Sequence, residues 1–142
     1  MQNRKGTSWA FAGLLIISIG QAIYIYTSAP NRPEPTHVVS VTKVGDGGAI
    51  YEILYDSGGA TVPYIYRYFL MALQGTDADA LEKSKKTTPF LVTKSTEAVW
   101  SVSGNKVKLK SEDIIYDFHN TGYYKVNGEL NIVKFDLNST TP

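Results

Sequence analysis

Between Lys5 and Arg32 the chain runs for twenty-six residues without a charge, and the apolar centre of that stretch extends from Trp9 to Tyr26. Eighteen helical residues rise about 27 Å at ~1.5 Å each, close to the ~30 Å hydrocarbon core of a bilayer. Trp9 at one end and Tyr24 and Tyr26 at the other suit the two interfacial aromatic belts. Arg4 and Lys5 ahead of the stretch predict an N-inside, C-outside orientation. The sequence therefore predicts an uncleaved anchor over residues 9–26 that contacts the lipid bilayer. The alternative is a cleavable signal peptide with Gly20-Gln21-Ala22 as its small-residue site. Against cleavage, apolar residues and tyrosines continue past that point to Tyr26. A proline-rich stretch over 27–36 follows, holding three of the six prolines, and reads as a semi-rigid extended spacer.

What remains has room for one core of ordinary size. There is no cysteine, which excludes a disulfide framework, a thiol nucleophile and a lipoprotein anchor. Two of the fourteen basic residues precede the apolar run; the other twelve face thirteen acidic ones, a formal charge of −1. A nearly neutral domain has no general attraction for polyanions, so nucleic acid is not an expected partner. The expected organisation is a cytoplasmic N-terminus (1–8), a transmembrane anchor (9–26), the spacer (27–36), a β-rich domain (37–138) and a short tail (139–142).

Within that domain, β-branched alternating runs are separated by glycine and asparagine turns. Strands are expected over 37–44, 49–55, 90–93, 97–102, 106–110, 113–118, 123–126 and 129–137. Turns are expected at 45–48, 56–59, 104–105, 119–122 and 127–128; Asn127-Gly128 is the strongest hairpin signal among them. Residues 60–73 read as extended at first, with a switch to helix near Tyr66, and Pro63 allows only an edge strand or a strand start. Thr76 with Asp79 predicts the cap of a helix over 77–86. The fold class expected is α+β: an antiparallel meander forming a curved sheet or half-open barrel, one or two short helices on it, and one transmembrane helix before it.

Chemistry-bearing motifs are sparse. His37 and His119 have no metal-ligand spacing, and Asp56-Ser57-Gly58 lacks the frame of a nucleophile elbow. The glycines at 45–48 do not make a phosphate loop. Asp113 and Asp117, four apart in a strand, would share a face, which allows a carboxylate pair but fits solvent-facing acids better. Lys106, Lys108 and Lys110 alternate with apolar residues, which fits either protection of a sheet edge or contact with an acidic protein partner. The ten tyrosines stand out. In an α+β domain they read most simply as core and half-buried residues; if a partner surface exists, Tyr64, Tyr66, Arg67, Tyr68, Tyr123 and Tyr124, with Lys106, Lys108 and Lys110, are the expected partner-binding set, because Tyr and Arg bury much area for little rotamer entropy. No catalytic residue, metal or cofactor is expected.

Residues 58–71 (GGATVPYIYRYFLM) together with 88–93 (TPFLVT) resemble a family of short single-pass bacterial proteins grouped as a domain of unknown function. The plan of basic start, single anchor, proline spacer and small β-rich domain is also similar to that of membrane-anchored immunity proteins. Those protect bacteria from toxins acting in the periplasm. The resemblance implies a bacterial inner-membrane location, a periplasmic domain and a toxin as the protein partner. A structural subunit of an envelope or secretion assembly is the competing expectation.

Overall fold

The computed structural model describes residues 4–27, 33–56 and 63–140. Its contacts divide the chain into two units at residue 33, inside the proline-rich stretch. The described residues of the first unit form one helix, α1 (Arg4–Thr27). Residues Ser8–Thr27 of it are uncharged, buried nowhere and long enough to cross a membrane, a test that a signal sequence passes as well. Trp9, Phe11, Tyr24 and Tyr26 are all exposed. A helix apolar on every side finds no partner in water. Its last turn closes through the Thr27 hydroxyl, which donates to the Ile23 carbonyl at 2.9 Å. The spacer is shorter than expected: Thr27 belongs to α1, and Pro35 and Thr36 already belong to the first strand. Residues 28–32 lie outside the described part.

Among its described residues the second unit has nine strands and one helix: β1 (Pro35–Val44), β2 (Gly48–Tyr55), β3 (Ile65–Ala72), α2 (Asp77–Ser84), β4 (Leu91–Thr93), β5 (Val99–Ser103), β6 (Lys106–Ser111), β7 (Ile115–Phe118), β8 (Thr121–Val126) and β9 (Glu129–Ser139). They form a five-stranded sheet in the order β1-β2-β3-β4-β7 and a four-stranded sheet in the order β5-β6-β9-β8. The fold is α+β and mostly antiparallel, as expected from the sequence. The sheets do not close into a barrel: the chain changes sheet three times, and β6 pairs with β9 in parallel. No local pattern announces a pairing between strands so far apart in sequence.

The core lies between the two sheets. Ile50, Tyr68, Leu70 and Leu91 on one side meet Val107, Leu109, Tyr124, Val133 and Phe135 on the other. Phe90 and Phe135 stack across the interface, ring centres 3.8 Å apart. A second cluster joins the far face of the first sheet to α2, where Tyr51, Ile53, Phe69 and Met71 surround Ala80. The layers therefore run helix, sheet, sheet. Tyr124 crosses from β8 to the β1–β2 turn, its hydroxyl donating to the carbonyls of Val44 and Asp46. A Cβ on Gly48 would fall 2.4 Å from the Tyr124 ring, so only glycine fits there.

β3 corrects the expected switch to helix near Tyr66. It is a strand from Ile65 to Ala72, paired with β2 along its whole length. Its bulky residues serve both faces, Tyr66, Tyr68 and Leu70 towards the second sheet and Phe69 and Met71 towards α2. Two-sided burial outweighs the helix propensity of Leu70-Met71-Ala72. α2 begins as expected, with Thr76 Oγ1 accepting from the Asp79 N–H at 3.2 Å and donating to the Asp79 carboxylate at 2.7 Å. It stops at Ser84, two residues early. At 119–122 the expected turn is shorter too, since Thr121 already opens β8. The loop at 56–59 lies beyond residue 56 outside the described part.

Candidate functional site

Two surfaces of the second unit combine exposed side chains with unusual chemistry. One is the outer face of the second sheet. β6 reads exposed-buried in strict alternation, so Val107, Leu109 and Ser111 enter the core while Lys106, Lys108 and Lys110 stand outside. β6 lies between β5 and β9, so these lysines do not guard an edge: the edge-protection reading is wrong, because the strand's backbone is paired on both sides. In register, Lys106 faces Lys134 and Lys108 faces Asp136 on β9. Lys110 pairs with Glu112, which holds that carboxyl below its usual range. Among the described residues, Lys106, Lys108 and Lys134 have no carboxylate within ion-pair distance. Next to them Tyr123 is 70% exposed, opposite Ile132, and Leu130 is exposed as well.

The second surface is a cleft of about 720 Å³ where the edge strands β1 and β5 diverge. Its floor is Glu52, 1% exposed. One carboxylate oxygen accepts from the Ser40 hydroxyl at 2.7 Å; the other accepts from the Thr96 hydroxyl at 2.7 Å and the Glu97 N–H at 3.1 Å. A buried carboxylate is tolerable only with donors arrayed around it. Glu52 thus fastens the β4–β5 crossover, the segment that carries the chain from one sheet to the other. Tyr68 fastens it a second time, donating to the Ser95 carbonyl at 2.9 Å and accepting from the Ala98 N–H at 3.1 Å. Burial, reinforced by the charge of Glu52, pushes the Tyr68 hydroxyl far above the usual phenol range. Ser95 and Thr93 continue the network to the buried Ser111 hydroxyl.

The expected partner-binding set does not come together. Tyr68 is 0% exposed and Tyr124 is buried; both are core residues whose hydroxyls are spent on backbone, so neither meets a partner. Tyr66 is half-buried against the same core. Arg67 lies on the opposite face of the sheet, its guanidinium 4.2 Å above the Tyr55 ring, with its Nε buried and unpartnered. Tyr64 is exposed just before β3. Tyr123 and the three lysines are the members of that set on one exposed face. The carboxylate pair is not formed either. Asp113 precedes β7 and accepts from the Ile114 N–H, whereas Asp117 Oδ2 lies 3.4 Å from His119 Nε2. His37 is exposed on β1. Among the described residues no cluster of three metal-ligating side chains occurs.

Glu52 and Trp100 are the residues that sequence reasoning passed over. The signal for Glu52 was a lone acid at the centre of an apolar run, residues 49–55. Trp100 had a weaker signal, a large aromatic placed one residue after an apolar position in a short strand. No protein-family model matches the chain, and no curated protein or solved structure is significantly similar to it.

Proposed function

We propose that this protein is a membrane-anchored binding domain, displayed on the periplasmic side of a bacterial inner membrane, and most specifically an immunity protein that occludes an antibacterial toxin. The observation behind this reading is the outer face of the second sheet, where Lys106 opposes Lys134, neither with a described carboxylate within ion-pair distance, beside exposed Tyr123, Ile132 and Leu130. Like charges held in register raise the local potential, which steers an acidic partner and speeds encounter. The apolar group beside them supplies area to be desolvated on contact. Occlusion of this kind needs no catalytic group and no cofactor. Arg4 and Lys5 set the orientation by the positive-inside rule.

The test is protection. Deleting the protein should sensitise cells to neighbouring kin, and the full chain should restore resistance. The triple variant K106E/K108E/K134E should not restore it, while keeping its melting temperature. Replacing residues 6–31 by an unrelated anchor should leave protection intact. Loss of function on that swap would instead favour a structural subunit of an envelope assembly, which uses its membrane segment for contacts. Full resistance in the deleted cells would sink the immunity reading.

A further inference from the structure

Three departures from regular strand geometry meet at the cleft floored by Glu52. In β1 the pairing passes from Val38↔Ile53 to Ser40↔Glu52, so Val39 is an extra residue and Ser40 is set against the carboxylate. In β5 it passes from Val99↔Leu109 to Ser101↔Lys108, so Trp100 has no residue opposite. Between them Glu97 adopts φ +55°, a conformation costly for a residue with a side chain. Bulges re-aim side chains and gather beside binding sites. The joint outcome is an indole 68% exposed on the wall of a polar cleft.

The rest of the lining alternates donors with acceptors: Thr42 on one wall, Lys94 and Glu97 on the crossover, Asp113 at the far end. Glu52 is saturated by its three donors and Glu112 is engaged by Lys110, so these two shape the cleft and leave the reading of a ligand to the others. An inorganic anion entering here would meet Glu97, Glu112 and Asp113. A divalent cation would find no three-ligand group among the described residues. A wholly apolar ligand would strand the polar rim without partners.

We propose that this cleft binds a saccharide, one pyranose ring lying on Trp100 and its hydroxyls exchanging hydrogen bonds with Thr42, Lys94, Glu97 and Asp113. A sugar ring offers an apolar C–H face to an aromatic plane, and around its edge hydroxyls that both donate and accept. The volume falls within the ~300–1,000 Å³ usual for ligand sites. The cleft shares Lys110 with the lysine face, but the residues that read the sugar are others, and the site does not depend on the partner proposed for that face.

The test uses the full chain in a detergent without a sugar headgroup. The protein has two tryptophans, so W9F leaves Trp100 as the sole reporter. Titration with the N-acetylglucosamine tetramer and, separately, with maltotetraose should give a saturable blue shift and quench with at least one of them. Calorimetry with that tetrasaccharide should show W100A weakening affinity tenfold or more, and E97Q and D113N each several-fold, with circular dichroism unchanged. Should W100A lose its fold, T42V and D113N carry the same comparison. Binding by neither tetrasaccharide, or binding indifferent to these substitutions, overturns the proposal.

Discussion

β2 and β6 are both inner strands of their sheets, yet β2 is buried at every position and β6 only at every second one. The difference lies in what covers them. The first sheet has α2 on one face and the second sheet on the other, whereas the second sheet, in the described residues of its unit, is covered on its inner face alone. In the sequence the same contrast appears as a near-continuous apolar run over 49–55 against a lysine–apolar alternation over 106–111. A tyrosine on a covered face, Tyr68 in the first sheet or Tyr124 in the second, is structure; a tyrosine on the bare face is surface. Tyr68 and Tyr123 look alike in the sequence and have opposite roles.

That pair gives the largest expected effect. Tyr68→Ala should cost ~3–5 kcal/mol, the range for removing a buried aromatic, and Tyr123→Ala less than ~0.5 kcal/mol; urea unfolding of the full chain measures both. Equal costs would end the distinction between the sheets. Next comes the floor of the cleft. Glu52→Ala leaves the Ser40 and Thr96 hydroxyls and the Glu97 N–H without their acceptor, at ~1–3 kcal/mol, and proteolysis should then cut first in the 94–98 crossover.

A third test turns on pH. Folding buries Tyr68 and opposes its ionisation, so its contribution is complete below about pH 10, the unfolded phenol value. Above that pH the unfolded chain releases a proton that the native chain keeps, and stability falls as pH rises. The wild type should lose up to ~1.4 kcal/mol per pH unit more than Y68F above about pH 10; parallel pH profiles of the two proteins would refute this. The smallest effect is expected on the bare face. Lys106→Ala removes the repulsion from Lys134 and should raise stability by no more than ~0.5 kcal/mol, less at high salt.

Local chemistry was legible in the residues. The Asn127-Gly128 turn, with both residues at positive φ, the Thr76 cap and the alternation of β6 follow from rules that act within a few positions. What was not legible needs the partner strand. β3 took the wrong class because Phe69 to Ala72 are adequate helix formers until β2 and α2 supply two walls to bury against. The lysines of β6 passed for an edge because nothing within 106–111 shows that β9 will lie beside it. Glu52 and Trp100 became a candidate site only when a crossover and two bulges had drawn residues 40, 52, 97 and 100 together. Of the firmest sequence feature, the uncharged stretch at 6–31, the described part Ser8–Thr27 is an apolar helix with no buried residue, and it speaks to place alone.

The parallel pairing of β6 with β9 bears on the order of events in time. β9 follows every other described strand in the sequence and sits between β6 and β8, at the middle of its sheet. A chain emerging from its N-terminus can close the β1–β2–β3 hairpins early, but its second sheet has no centre until residue 139 is free. Until then Val107, Leu109 and Tyr124 have no completed layer to enter. Such late, non-local closure makes folding slow relative to hairpin-built domains of this size.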